Sequence, residues 1–124
     1  MSRRKRFNRL PEAKQLAKQL LLHRVWNGLS QSNIADVLGL TFQQYQKIER
    51  CQNRVYAEQL LCICKNFKWD PAIVMLADPI ATLNEWEENK PRKGKTGISS
   101  DYNKINKKFY AIDNNAWKYY YNER

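Results

Sequence analysis

The residues best suited to chemistry lie between positions 41 and 54, where amide and basic side chains share the outward face of a short predicted helix. They are Gln43, Gln44, Gln46, Lys47 and Arg50. Amide groups both donate and accept hydrogen bonds, and cationic groups bind anions. A helix face that serves solubility alone more commonly mixes glutamate with lysine. The pattern therefore indicates recognition of a polar or anionic partner.

The sequence carries no combination of residues typical of an enzyme. We find no nucleophile paired with a base, no glycine-rich phosphate loop and no spacing of metal ligands. The three cysteines, Cys51, Cys62 and Cys64, are odd in number, and His23 is the single histidine. We therefore expect no enzyme activity, no cofactor and no metal. We also expect His23 to lie at the surface or to pack against its neighbours.

The charge of the chain favours a polyanionic partner. The net charge is +10, with 13 Lys and Arg against 5 Asp and Glu in residues 1–70, and 9 against 3 in residues 90–124. Residues 71–89 carry four acids and no bases. Such a balance favours nucleic acid over a membrane. The alternative is that the basic residues only keep the protein soluble, and for the tail this alternative is preferred.

No segment is expected to target or span a membrane. The basic N-terminus, Met1 to Arg6, is not followed by the apolar run of a signal peptide. No stretch approaches the roughly 18 apolar residues of a membrane helix. With no disulfide framework among the cysteines, we expect a cytoplasmic protein with reduced thiols and no membrane partner.

Hydrophobic periodicity predicts an all-α protein with five helices in a domain of residues 11–78. The helices are expected at residues 11–26, 31–38, 42–50, 57–67 and 71–77. Inward residues are Ala13, Leu16, Ala17, Leu20, Leu21 and Arg24 in the first helix, and Leu60, Leu61, Cys64 and Phe67 in the fourth. Residues 1–10 form a basic arm without an apolar period, which predicts disorder unless a partner is bound.

Local signals set the ends of the short helices. Ser30 is a favourable N-cap for the second helix, and Thr41 with Gln44 predicts a capping box at the start of the third. Gly28 and Gly39 are suited to ending helices, because glycine tolerates the left-handed conformation. The second and third helices should therefore be short and closely connected.

The C-terminal part is predicted less sharply. Residues 79–101 read as an acidic segment, which could form a short helix over 80–88, followed by a basic linker. Residues 102–124 form a tail that could be one helix, although its asparagines weaken that prediction. Its inward residues would be Ile105, Phe109, Ile112, Ala116, Tyr119 and Tyr120.

Residues 31–50 place apolar residues and a glycine at the spacing of a DNA-binding motif. The matching residues are Ile34, Ala35, Leu38, Gly39, Leu40, Tyr45 and Ile48. With the strings Gly28-Leu29-Ser30-Gln31 and Ile48-Glu49-Arg50, the segment resembles the helix-turn-helix of the lambda-repressor-like family, the Cro and XRE type. The resemblance covers about residues 12–77 and implies a five-helix domain that binds double-stranded DNA.

The resemblance also implies which residues face DNA. The third helix would enter the major groove, where Gln43 would pair with adenine and Lys47 would reach guanine or a phosphate. Phe42 would either pack on a thymine methyl group or turn inward. Gln31 resembles the family's phosphate anchor at a helix N-terminus. The full implied set is Gln31, Thr41, Phe42, Gln43, Gln44, Gln46, Lys47, Arg50, Asn53 and Arg54, of which the last three look like phosphate contacts.

Two further features follow from the resemblance. The family often pairs an arginine of the first helix with the glutamate of Ile-Glu-Arg, which implies a pair between Arg24 and Glu49. Cys51 stands where the family usually has glycine in a left-handed turn, and a Cβ there costs about 1 kcal/mol. We expect Cys51 to be a plain small residue.

The preferred interpretation is a transcriptional regulator, a repressor before an activator, that binds a symmetric operator as a homodimer. Candidate dimer residues are Ile73, Val74, Leu76, Tyr102, Phe109, Tyr110, Trp117 and Tyr119 to Tyr121. The alternative is an antitoxin-type protein that regulates its own operon and binds a protein partner through its tail. Nonspecific architectural binding is a weaker variant.

Overall fold

Seven α-helices and one 3-10 turn form the part of the chain that the computed structural model describes, residues 10–90 and 99–120. The helices are α1 Pro11–Trp26, α2 Gln31–Leu38, α3 Phe42–Glu49, α4 Ala57–Phe67, α5 Pro71–Leu76, α6 Pro79–Asn89 and α7 Ser100–Asn114, and the turn is Trp117–Tyr120. The predicted all-α class is confirmed for these ranges, which contain no strand. The basic arm before Leu10, most of the basic linker and Tyr121 lie outside the described residues.

Helix α1 is the central element of the fold. It contacts α3, α5, α6 and α7, and its C-terminal half is buried almost all round, at Ala17, Gln19, Leu20, Leu21, Leu22, His23, Arg24 and Val25. The single inward stripe predicted for this helix therefore accounts for only part of its buried surface. A stripe is expected of a helix covered on one side, whereas α6 and α7 cover a second side of α1.

Two apolar clusters meet on α1. One contains Leu20 and joins α1 to α2, α3, α4 and α5 through Ile34, Tyr45, Ile63 and Val74. The other contains Leu21 and Leu22 and joins α1 to α6 and α7 through Leu83, Ile105 and Phe109. Because both clusters share α1, the five predicted helices and the C-terminal helices are packed on one common support.

The polar side chain of Gln19 links α1 to the junction between α5 and α6. Its Nε2 donates to the carbonyl of Ala77 at 3.0 Å and to Oγ1 of Thr82 at 3.1 Å. At the same junction Pro79 begins α6, with Asp78 as its N-cap accepting from the N–H of Ala81. Pro79 thus opens the acidic helix that the sequence left possible over residues 80–88.

His23 is buried rather than at the surface. Its Nδ1 donates to the carbonyl of Gln19 at 2.8 Å, and its ring lies 5.0 Å from that of Trp69 and 4.8 Å from that of Trp86. Burial lowers the pKa of His23, although the hydrogen bond to Gln19 and the charge of Asp70 oppose the shift. The packing role of His23 is the one observed.

Four predictions about individual apolar residues are corrected. Leu61 is 54% exposed, and Ile63 is fully buried in its place, because the stripe of α4 runs through Leu60, Ile63, Cys64 and Phe67. The other corrections concern dimer candidates: Val74, Phe109 and Trp117 are buried within this chain. They are therefore not available to a second copy.

None of the described helices combines sufficient length with sufficient apolar character to cross a bilayer.

Candidate nucleic-acid interface

Helix α2 and the turn after it are defined by short-range hydrogen bonds. Oγ of Ser30 accepts from the N–H of Asn33 at 3.0 Å, and Oδ1 of Asn33 accepts from the N–H of Ser30 at 2.8 Å. At the other end, Gly39 has φ +68°, and the N–H of Leu40 donates to the carbonyl of Ala35 at 2.9 Å. Glycine adopts this left-handed conformation without the strain of a Cβ.

Helix α3 begins directly after this turn with the predicted capping box. Oγ1 of Thr41 accepts from the N–H of Gln44 at 3.1 Å, and Oε1 of Gln44 accepts from the N–H of Thr41 at 2.9 Å. The side-chain oxygen of Gln44 is therefore engaged in holding the start of α3. Its Nε2 is the part of that side chain left to face another molecule.

Packing between α2 and α3 fixes which side of α3 faces outward. Ile34 and Ala35 of α2 pack in one cluster with Tyr45 and Ile48 of α3, and all four are buried. Burial, with the charge of Glu49, raises the pKa of Tyr45 well above its usual range, so this residue stays neutral. The opposite side of α3 carries the exposed residues Gln43, Gln44 and Lys47.

The predicted ion pair between Arg24 and Glu49 is present and buried. Nε and Nη2 of Arg24 donate to the two carboxylate oxygens of Glu49, each at 2.7 Å, and Nη1 of Arg24 donates to the carbonyl of Leu29. Burial alone would raise the pKa of Glu49, but the charge and hydrogen bonds of Arg24 outweigh it and lower that pKa. The pair ties the end of α3 to α1 and to the segment that precedes α2.

Two amides extend this buried pair toward the outward side. Nε2 of Gln31 donates to Oε1 of Glu49 at 3.1 Å, and Nε2 of Gln46 donates to Oε1 of Gln31 at 3.3 Å. The side chain of Gln31 is buried, and that of Gln46 is half-buried instead of fully outward as predicted. An anion at the start of α2 would therefore meet the backbone N–H of Gln31 and not its amide.

The end of α3 adopts a Schellman motif around Cys51. Cys51 has φ +60°. Its N–H donates to the carbonyl of Ile48 at 3.0 Å, and the N–H of Gln52 donates to the carbonyl of Lys47 at 2.8 Å. The left-handed turn expected from the resemblance is thus formed with a side chain present. That side chain is buried in the cluster of α1 and α7, and burial raises the pKa of its thiol.

The three predicted phosphate contacts after α3 differ in their surroundings. Asn53 and Arg54 are exposed, whereas Arg50 is half-buried. The guanidinium of Arg50 lies 5.0 Å from the ring centre of Trp117, and Nε1 of Trp117 donates to the carbonyl of Arg50 at 3.1 Å. Sequence reasoning missed Trp117 as a neighbour of this site, because 67 positions separate it from Arg50 and no local pattern joins them.

The outward surface of α3 and the loop after it combines residues suited to DNA recognition. Gln43, Lys47, Asn53 and Arg54 are exposed, and Phe42 is half-buried at the first position of α3. Amides can hydrogen-bond to base edges, and cations can bind phosphates. Across the described ranges, His, Cys, Asp and Glu do not form a group of three that could hold a metal ion.

Comparison with known proteins gives one informative similarity. The chain is 37% identical over 57 residues to a protein of Sinorhizobium fredii described as an uncharacterized HTH-type transcriptional regulator. The match covers 46% of this chain and 40% of that protein, so it spans less than half the length of either. No family model and no solved structure matches the chain. The similarity supports a regulator of the helix-turn-helix type.

Proposed function

We propose that this protein is a sequence-specific, double-stranded DNA-binding transcriptional regulator of the lambda-repressor-like, Cro and XRE type. The observation that carries the proposal is the exposed face of α3, which presents Gln43 and Lys47 on a helix fastened to α2 by apolar packing and to α1 by the Arg24–Glu49 pair. A rigid helix with an amide and basic face is suited to the major groove.

Within the proposed interface, base reading and positioning fall to different residues. Gln43 reads bases, Lys47 reads guanine or binds a phosphate, and Phe42 packs on a thymine methyl group or against the protein. Gln31, through its backbone N–H, and Arg50, Asn53 and Arg54 bind phosphates. The remaining contacts come from Thr41, Gln44 and Gln46, whose side chains also hold α3 in place.

The proposed DNA-binding unit is the five-helix domain of residues 11–78, acting as a homodimer and a repressor. One recognition helix contacts only a few base pairs, so useful specificity requires two half-sites. The junction of α5 and α6 supplies a candidate dimer surface, since Met75, Leu76 and Ile80 are exposed there, with Leu76 at 80%.

The antitoxin-type alternative has no observation in its favour. It requires a tail that is free to fold on a partner, whereas Ile105, Phe109 and Ile112 of α7 are buried against α1 within this chain. We therefore retain the regulator as the proposal.

The experiment that tests the proposal is selection of binding sites from a random duplex DNA pool at physiological salt. Enrichment of an inverted repeat supports a dimeric, sequence-reading regulator and gives the half-site spacing. Enrichment of one half-site supports sequence reading but contradicts the dimer. Binding without enrichment contradicts sequence-specific recognition.

A further inference from the structure

Helix α7 lies beside the C-terminal end of α3, the proposed recognition helix. Trp117, just after α7, contacts Arg50 through both its ring and its Nε1, at 5.0 Å and 3.1 Å. Cys51 is buried in the same cluster as Ala111 and Ile112 of α7. The two elements are thus joined at the point where the proposed phosphate contacts begin.

This junction concentrates positive charge. Lys104 and Lys107 of α7 are exposed, and Lys108 beside them is 3% exposed. Burial lowers the pKa of Lys108 to about 7, helped by the charges of Arg24, Lys104 and Arg50 and opposed by Glu49. Lys108 therefore lies among cations of α1, of the residue just after α3 and of α7 itself. Such crowding is unfavourable for folding alone, and unfavourable charge arrangements are common where a protein binds a ligand.

We propose that Lys104 and Lys107 of α7 bind phosphates of the DNA backbone next to those contacted by Arg50, so that α7 extends the DNA interface beyond the helix-turn-helix. The inference rests on the proposed function and deepens it. Lysine acts as a point charge suited to phosphates, and phosphate contacts position a protein without reading sequence.

Two observations favour DNA over an acidic protein as the occupant. The charges of Lys104 and Arg50 both act on Lys108, and Arg50 follows the helix that would lie in the groove. The contacts of Trp117 also set α7 against the end of α3. We expect the backbone of a duplex seated on α3 to continue toward α7, which lies at the C-terminal end of that helix.

The test compares the full-length wild-type chain with a K104Q/K107Q double variant on the selected duplex. Removing two phosphate contacts should reduce the slope of log affinity against log salt by about 2, at roughly 0.9 per contact. The preference among sequences should stay unchanged. Cleavage protection of the DNA backbone should also shrink on the flank beside α7. A K65Q/K68Q variant is the matched control, because it removes the same charge at α4.

The outcomes separate the inference from the proposed function. The inference is supported if the salt slope falls for K104Q/K107Q but not for K65Q/K68Q, and if the DNA flank beside α7 loses its protection from cleavage. An unchanged slope, or an equal reduction in the K65Q/K68Q control, overturns the inference while the wild-type chain still binds specifically. Failure of the wild-type chain to bind any duplex overturns the proposed function, and this inference with it.

Discussion

At the residue scale, the amides of α3 have different tasks although they are the same residue type. Oε1 of Gln44 caps the start of the helix, and Nε2 of Gln46 continues the buried chain from Gln31 to Glu49. The side chain of Gln43 is exposed. Gln43 is therefore the amide whose removal should change DNA recognition without changing the fold.

Replacing Gln43 with alanine should reduce discrimination at particular base pairs by about 1–3 kcal/mol. Nonspecific affinity should stay the same, because no phosphate contact is lost. Binding to the selected site and to single-base variants of it measures the effect. Gln52→Ala is the control, since it removes an exposed amide beyond α3. An equal loss of affinity for all DNA sequences would contradict base reading by Gln43.

Replacing Glu49 with glutamine should destabilise the fold by about 3 kcal/mol, because it leaves the buried charge of Arg24 without its counter-ion. Urea unfolding followed by circular dichroism measures the loss. Glu58→Gln, an exposed acid on α4, is the matched control and should change the stability by less than about 0.5 kcal/mol. Equal effects of the two changes would show that the Arg24–Glu49 pair does not stabilise the fold.

At the element scale, α7 completes the burial of α1. Its residues Ile105, Phe109 and Ile112 pack on the side of α1 that the first five helices leave uncovered. Lys18 of α1, which is partly buried, also pairs with Asp113 of α7, with Nζ 2.7 Å from the carboxylate, although an ion pair near the surface adds little stability. Apolar burial and the contacts of Trp117 therefore hold α7 in place.

Replacing Trp117 with phenylalanine should destabilise the protein by about 1 kcal/mol, because it removes the N–H that pairs with the carbonyl of Arg50. Trp117→Ala should destabilise the protein more strongly, by about 3 kcal/mol or more, since it also leaves a cavity at a buried site. Thermal unfolding measures both. Tyr110→Ala is the control, because Tyr110 is exposed on the same helix. If neither change of Trp117 exceeds that control, the end of α7 does not hold α3.

At the scale of the whole molecule, the described surface has distinct regions. Exposed apolar side chains stand at the junction of α5 and α6, whereas positive charge gathers where α3 meets α7. The first region is suited to a second copy of the chain, and the second to a polyanion. Both assignments lead to measurements on the intact protein.

Replacing Leu76 with glutamate should weaken self-association, because a charge would have to be buried in the proposed dimer. Sedimentation over a range of protein concentrations measures the dissociation constant, which should rise by at least tenfold. Leu61→Glu makes the same change at an exposed leucine of α4. A wild-type chain that is monomeric at all concentrations, or equal effects of both changes, would exclude this surface.

The buried Lys108 should make stability depend on pH. Its pKa is about 7 in the folded protein against 10.5 for an unperturbed lysine, so between these pH values the unfolded chain binds more protons and stability rises with pH. Lys108→Met should raise stability at pH 7 and flatten the rise toward pH 9. Lys107→Met, at an exposed neighbour, should do neither. Denaturant unfolding at both pH values measures this, and parallel pH profiles would contradict it.

Residues that are close together along the chain specify the local structure of the proposed DNA-binding region. The capping box of Thr41 and Gln44 and the left-handed turn at Gly39 each depend on residues a few positions apart, whereas the left-handed turn at Cys51 was expected only from the family resemblance. The Arg24–Glu49 pair was also foreseen, although through the family resemblance and not through spacing. Short-range hydrogen bonds and turn conformations leave a signature in adjacent residues, so they could be predicted.

The packing of the whole chain sets which surfaces are covered. It buried the second side of α1, turned Gln31 inward, withdrew Val74 from the surface and placed Trp117 against Arg50. Each of these depends on elements distant in sequence meeting in space. Periodicity shows that a helix has an apolar side but not which element covers it, because packing partners are selected by the shape of the assembled core.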